Sequence, residues 1–419
     1  MTSEQPRYDT GIASSAAILP GPPPLWSFSS LREAGACPRR YSLARATYPD
    51  LWDGRGYPRV PAIAALFGDV VHDALDTIVE ALVAADCQSV QSPGAVNVLR
   101  RLGGYTAVIE RAADARLAGL PGNPRVSDDL RQRIQRGLRG RVADARVQVQ
   151  AYISNTVIVP AGNANEAGTP APDGAPGAAM PRGRVAVSLG AHAEIALTVP
   201  ELRLTGRLDL LRVTSAGAHI TDYKTGSEKP GHAEQLRLYA LLWDLDRNAN
   251  PGRLPVASLT AAYPGRDVAI PVPDEPALRD HEKQIAATIA EADAELTAAV
   301  PRAIPSAENC THCDVRHLCD DYWSSVAPDP SGLPDETWFD CQGVVGTANG
   351  PRSWWLHIDG PGHVKLLVQA PGTGPELHPG RHIRILGLRV DADPDSSVIV
   401  ASMNAATEVF KRTAPSRLS

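Results

Sequence analysis

The chain has 419 residues, of which 43% are hydrophobic and 21% charged, and a formal charge of -6 at pH 7. This length suits two or three ordinary domains, and the lack of an apolar run near the ~20 residues of a membrane helix, or of a basic segment leading an apolar core, predicts a cytoplasmic protein with no membrane partner. The negative balance excludes nucleic-acid binding over the whole surface but leaves room for a local basic groove. Six cysteines are too few for a disulfide scaffold and point to metal instead.

Residues 1–24 are Pro, Ser, Gly and Ala without periodicity, which predicts a disordered tail ending at an anchor of Trp26 and Phe28. Val71, Leu75, Ile78 and Leu82 then fall at helical spacing, and residues 126–153 read as a second long helix. A low-complexity run, taken as 160–183, predicts a flexible surface loop inside one domain. From Arg184 to Gly226 short apolar runs of period two are broken by Gly and Pro, a strand meander, and "HAEQLRLYALLWDL" returns to helix. Helices flanking one sheet give an α/β core over 25–325. Residues 326–336 are Pro-rich and read as an interdomain linker. Residues 337–411 hold about five alternating strands broken by Gly, Pro and Asp turns, the length of a small β-barrel, and 412–419 form a tail.

Lysine is rare in this chain: every basic side chain before Lys224 is an arginine. Lys224 stands in "DYKTG", where strand alternation puts it on the same face as Asp222 and turns Tyr223 away. The preceding strand ends in Asp209, which a short hairpin brings alongside. Two carboxylates and an ammonium at neighbouring strand ends make a site for a hard divalent cation with positions left for water and phosphate. A compact ammonium suits a place beside an attacking water better than a guanidinium does. The plainer reading is an exposed Asp-Lys pair at a turn.

"GRLDLL", then "DYKTG", then a helix with Gln235 and Tyr239 one turn apart resembles the PD-(D/E)XK nuclease superfamily in its RecB-like branch, a restriction-endonuclease-like core with flanking helices. That branch also carries a helical G-x-x-x-H, matched here by Gly68 and His72 in "FGDVVHDALD". The resemblance implies that His72, Asp209 and Asp222 bind Mg²⁺ or Mn²⁺ and that Lys224 orients or activates the hydrolytic water, with Gln235 and Tyr239 in the same catalytic set. Glu194 matches an acid some members carry one strand earlier, and an exposed strand residue is the equal alternative.

Cys310, Cys313 and Cys319 are spaced C-x2-C-x5-C, and Cys37 stands far upstream in "SFSSLREAGACPRRY". Spacing alone leaves zinc and a [4Fe-4S] cluster open, and His312 and His317 permit a mixed zinc site. The upstream segment resembles the N-terminal element of Cas4-like iron-sulfur nucleases, including the AddB nuclease domain and exonuclease V types. This resemblance implies that Cys37, Cys310, Cys313 and Cys319 hold a [4Fe-4S] cluster tying the two ends of the domain together. Cys87 and Cys341 read as ordinary buried thiols.

Between Arg125 and Arg146 seven arginines face three aspartates; Arg131 and Arg139 on that helix suit a phosphate backbone, although a solvated face with internal ion pairs explains them equally. "HPGRHIRILGLRV" resembles a strand of OB-fold modules, which implies an OB-like nucleic-acid-binding domain over 337–411 with Trp354 and Trp355 as base-stacking platforms. Strand alternation requires that one of the two fill the core instead. No P-loop occurs, so any unwinding comes from a partner. The implied protein is a Mg/Mn-dependent deoxyribonuclease, an exonuclease on single-stranded DNA ends in repair, recombination or antiviral defence, working with a helicase or defence-system partner. The alternative is a catalytically silent DNA-binding or scaffolding subunit of a helicase-nuclease or CRISPR-adaptation-like complex.

Overall fold

The computed structural model describes residues 17–48, 56–158, 186–360, 364–370, 376–391, 398–404 and 406–412. Most of the expected 1–24 tail and all of the 160–183 loop lie outside them; residues 17–24 are placed, with Ile18 bridging Thr47. Helix α1 (Phe28–Ala36) starts at a reciprocal cap between Ser27 and Ser30, and α2 (Pro38–Arg45) starts with proline, where the missing N–H costs nothing. Cys37 is the extended residue between them, closing one helix and opening the next.

Helices α3 (Ile63–Val83), α4 (Ala95–Arg101) and α5 (Gly104–Ala118) follow. The sequence pattern reveals only α3 among these. The single helix expected over 126–153 is two, α6 (Asp128–Arg139) and α7 (Val142–Asn155). Gly140 caps the first and Arg141, outside helical geometry at φ -102 and ψ 8, caps the second. The break keeps Ile134 and Leu138 in the same core as Val149 and Ile153, which one straight helix of mixed polarity does not do.

Strands β1 (Gly190–Val199), β2 (Leu204–Thr214) and β3 (Gly217–Tyr223) form the antiparallel meander. The chain crosses through α8 (Pro230–Leu245) to β4 (Val256–Tyr263), parallel to β3, and β5 (Arg266–Ile270) completes a sheet of order β1-β2-β3-β4-β5. Side-chain alternation divides two cores between its faces. Leu210, Tyr223 and Ala262 pack with α3, α5 and α7; Leu211, Ile220 and Ala261 pack with α1, α8 and a further long helix, α9 (Glu275–Thr297). Gly206, in "GRLD", explains how α8 lies so close: a Cβ there would stand 2.6 Å from Leu242 and 3.0 Å from Tyr239. The late cysteines sit on α10 (Ala307–Thr311) and the turns leading to α11 (Asp320–Ser325).

The C-terminal module corrects the expectation of a small OB-like barrel. It has six strands, β6 (Trp338–Gly350), β7 (Ser353–Ile358), β8 (Lys365–Gln369), β9 (His382–Asp391), β10 (Ile399–Ser402) and β11 (Glu408–Lys411), laid out as one sheet in the order β10-β8-β7-β6-β9-β11. The four-residue β10 pairs with β8 and touches Arg389–Asp391 of β9, while β11 takes the remainder of the same β9 edge and, among the described residues, pairs with nothing else. The sixth strand, β11, is thus an edge strand outside the run β8-β7-β6-β9 whose two ends β10 joins. Alternation reports how many segments are extended but not how their edges meet, so the sequence could not exclude closure. Leu386 and Phe410 of this sheet pack with Tyr322 and Trp323, next to Cys310 and Cys319. No helix among the described residues is long and apolar enough to cross a membrane.

Candidate metal centre and active site

The sequence-predicted residues converge at the end of β3. Leu210 pairs with Thr221, so the next residues along, Asp209 and Asp222, meet across the two strands. Asp209 Oδ2 accepts the Tyr223 amide at 2.6 Å and lies 3.6 Å from His72 Nδ1 on α3. Asp222 is 2% exposed and forms an ion pair with Lys224, yet its Oδ2 has no donor aligned on it. Lys224 Nζ donates to Gln235 Oε1 at 2.8 Å, and Gln235 Nε2 donates to the Tyr239 hydroxyl at 2.6 Å. The lysine is therefore held by Gln235, which Tyr239 one turn further along α8 holds in turn. Its own backbone is fixed as well, the amide bonding Ala262 O and the carbonyl accepting from Tyr152 OH. Tyr223 turns to the opposite face, where its hydroxyl lies 3.0 Å from Thr156 Oγ1. Gly68 meets this loop directly: a Cβ there would be 3.2 Å from Thr225 Oγ1, so the glycine one turn before His72 admits "DYKT" against α3.

Glu194 belongs to the same group, since ligand atoms of His72, Glu194 and Asp209 lie within 4.8 Å of one another. It stands opposite Asp209, between the Ala193–Leu210 and Ile195–Leu208 pairs, with a left-handed φ of 49 that few non-glycine residues adopt. Arg207 reaches its carboxylate at 3.0 Å. Asp76, one turn beyond His72, also faces the group and hydrogen-bonds Glu194; sequence reasoning does not single it out, although its i+4 position from His72 is an available signal.

The electrostatics are those of too much negative charge in too little water. Burial, then the charges of Glu194 and Asp209, pushes the Asp76 carboxyl up to about 8. Burial and Asp209 likewise raise Asp222, against the opposing pull of Lys224, and burial with Asp209 raises Glu194. Burial pulls the His72 imidazole down, but Asp209 and Asp222 more than offset it and leave the ring above its ordinary value. A buried Asp222 carboxylate that relies on the Lys224 ammonium, among carboxylates that resist ionising, fits a divalent cation with mainly oxygen ligands, with His72, Glu194, Asp209 and Asp222 to hold it.

The four predicted cysteines, Cys37, Cys310, Cys313 and Cys319, are buried free thiols lining one small cavity together with Arg39 and Arg40. Cys37 Sγ accepts the Ile304 amide at 3.5 Å. Burial pushes the Cys313 thiol up to about 11, with Arg40 among the groups opposing it. Neither His312 nor His317 lines this cavity. His317 is fully buried, bonded through Nε2 to Tyr57 OH at 2.7 Å and held neutral by burial and three arginines. Cys87 and Cys341 sit in separate apolar cores.

The residues predicted to touch DNA lie elsewhere. Arg131 pairs with Asp128 at 2.8 Å and Arg139 with Asp114 at 3.0 Å on exposed helix surface. Trp354 is 5% exposed and fills the C-terminal core, and Trp355 faces the other side of β7, half-buried.

No curated protein is significantly similar to the chain. A family model described as the PD-(D/E)XK nuclease superfamily matches residues 25–320, the span in which His72, Asp209, Asp222 and Lys224 meet, and the chain belongs to that superfamily.

Proposed function

We propose that this protein is a Mg²⁺- or Mn²⁺-dependent deoxyribonuclease that hydrolyses phosphodiester bonds at single-stranded DNA ends. The observation that carries the reading is the buried Asp222 oxygen without an aligned donor, facing Asp209 and in contact with Lys224. A bound cation there would polarise a phosphoryl oxygen and lower the pKa of its water. The chain's own residues do the rest. Gln235 and Tyr239 fix the ammonium of Lys224 at the strand end, where it holds the attacking water and offsets charge building on the phosphate. His72 and Glu194, on α3 and β1, fix the other side of the cation pocket.

The same reading takes the four thiols as ligands of a [4Fe-4S] cluster. All four thiols line one cavity, as a shared metal centre requires. Arg40, whose Nε has no hydrogen-bond partner among the described residues, lines the cavity and suits an anionic centre. A nuclease of this kind, without a motor of its own, serves repair or antiviral defence beside a helicase or similar partner.

The test is end-labelled single- and double-stranded DNA incubated with anaerobically purified protein in Mn²⁺, Mg²⁺ or EDTA. Cleavage that needs metal and prefers single-stranded ends supports the reading. Full-length product in both metals, with DNA still bound, favours the silent scaffolding subunit. About four irons per chain and a brown colour support the cluster; stoichiometric zinc without colour overturns it.

A further inference from the structure

The turns carrying Cys313 and Cys319 have little secondary structure of their own, only a three-residue 3-10 turn, Arg316–Leu318. Their carbonyls are instead occupied by arginines. Arg125 donates to Asp314 O at 2.8 Å, Arg316 to Cys313 O at 3.2 Å and Arg384 to His317 O at 2.6 Å. Each guanidinium is neutralised by an acid, and most of that machinery comes from the C-terminal sheet.

Glu408 on β11 takes Arg125 in a two-pronged pair at 2.8 and 2.7 Å. Asp340 on β6 accepts from Arg316 Nε at 2.6 Å, Tyr322 OH at 2.7 Å and the Gly387 amide at 2.9 Å. Arg384 on β9 pairs with Asp320, the residue after Cys319. The Phe410 ring lies flat on the His317 imidazole, centroids 3.7 Å apart and planes within 15°. Arg125, Asp340, Arg384 and His317 are all buried. A buried guanidinium or carboxylate that loses its partner is strongly destabilising, so the loop and the sheet hold their positions together.

We propose that the C-terminal sheet is the retaining wall of the four-cysteine centre. Asp340, Arg384, Glu408 and Phe410 are positioning residues: they touch no metal, but they fix the loop that aims Cys313 and Cys319 into the cavity, and the centre keeps its metal only while the sheet is docked. The proposal rests on the reading of the four thiols as a metal centre. It makes the C-terminal module a part of the nuclease domain's stability and not a tethered accessory.

The experiment uses full-length protein as purified: wild type, Glu408→Gln, Asp340→Asn, the milder Arg384→Gln, and Val149→Ala as a core change far from the interface. Metal content comes first, and then the rate of metal loss to an excess of a chromogenic chelator, followed alongside hydrogen exchange over residues 310–326. The expected result is metal loss at least about tenfold faster in the interface variants, with exchange raised in that segment, and a wild-type rate in Val149→Ala. Should Glu408→Gln or Asp340→Asn fail to fold, Arg384→Gln carries the test. A wild-type rate of metal loss in variants whose interface exchange has risen overturns the retaining role and leaves the metal-centre reading standing. Zinc in place of iron removes the cluster assignment while the retention test proceeds on zinc, and a wild type with neither metal removes both.

Discussion

Replacing Asp76 with asparagine should make the metal-free protein more stable, by an amount that depends on pH. The folded protein holds the Asp76 proton up to about pH 8, against 3.8 for the ordinary carboxyl. Folding therefore takes up a proton between those values, and stability falls as pH rises through that window, fully retained below it and lost above it. Each tenfold change in proton affinity is worth about 1.4 kcal/mol, so a fully enclosed group would forfeit about 6 kcal/mol by pH 8. Asp76 is half-buried, and screening by water brings this to on the order of 1–3 kcal/mol. Asparagine keeps the shape and can still donate to Glu194, but carries no charge to crowd it. In EDTA at pH 8 the Asp76→Asn midpoint should rise by several degrees, and at pH 5 the gain should largely vanish. Excess Mn²⁺ should narrow the difference, because a cation relieves the same repulsion in the wild type. A variant no more stable than wild type at pH 8, or equally stabilised at both pH values, would refute the picture of carboxylates crowded around a cation site.

Asp222→Asn and Lys224→Ala should each lower single-strand cleavage by at least about a hundredfold while circular dichroism and DNA affinity stay near wild type, and Lys224→Arg should fail with them, since a planar fork cannot take the place of the ammonium on Gln235. Gly206→Val should push Leu242 and Tyr239 aside, cost about 1–3 kcal/mol in urea denaturation and loosen Lys224 enough to lower the turnover rate more than the substrate affinity. The two tryptophans of β7 should separate cleanly: Trp354→Ala costs about 3–5 kcal/mol of stability, whereas Trp355→Ala leaves stability alone and, where a base stacks on it, weakens single-strand binding by about 1–3 kcal/mol at fixed salt. An unchanged dissociation constant for Trp355→Ala removes that face from the DNA path.

Much of the central site could be read in the sequence because strand geometry is periodic. Once "DYK" is extended, Asp222 and Lys224 must share a face and Tyr223 must leave it, and the short hairpin places Asp209 next to them. Glu194 could not be decided in that way, since its place among the ligands depends on a left-handed backbone at one residue, which no pattern of hydrophobicity encodes. Asp76 was within reach one helical turn from His72, but a second acid on an exposed helix face looks like ordinary solvation. The helix break at Gly140 was hidden because no proline and no capping side chain marks the start of α7, where Arg141 makes no side-chain cap. The docking of the C-terminal sheet had no local signal at all: Arg125 and Glu408 are 283 positions apart, and the sequence shows only two charges in unrelated surroundings.

The same long separations set when this protein can be finished during synthesis. Asn309 bonds the carbonyl of Ala36 across 273 positions, and the loop between Cys313 and Cys319 is braced by residues as late as Glu408 and Phe410. Local helices such as α3 and α5 can form as they leave the ribosome, but contacts this distant wait until the later partner has emerged. A nascent chain stalled before β11 therefore presents Cys37, Cys310, Cys313 and Cys319 on a surface still unbraced, open to oxidation and to the wrong ion. On the proposed reading of these thiols as a metal centre, loading follows the emergence of β11.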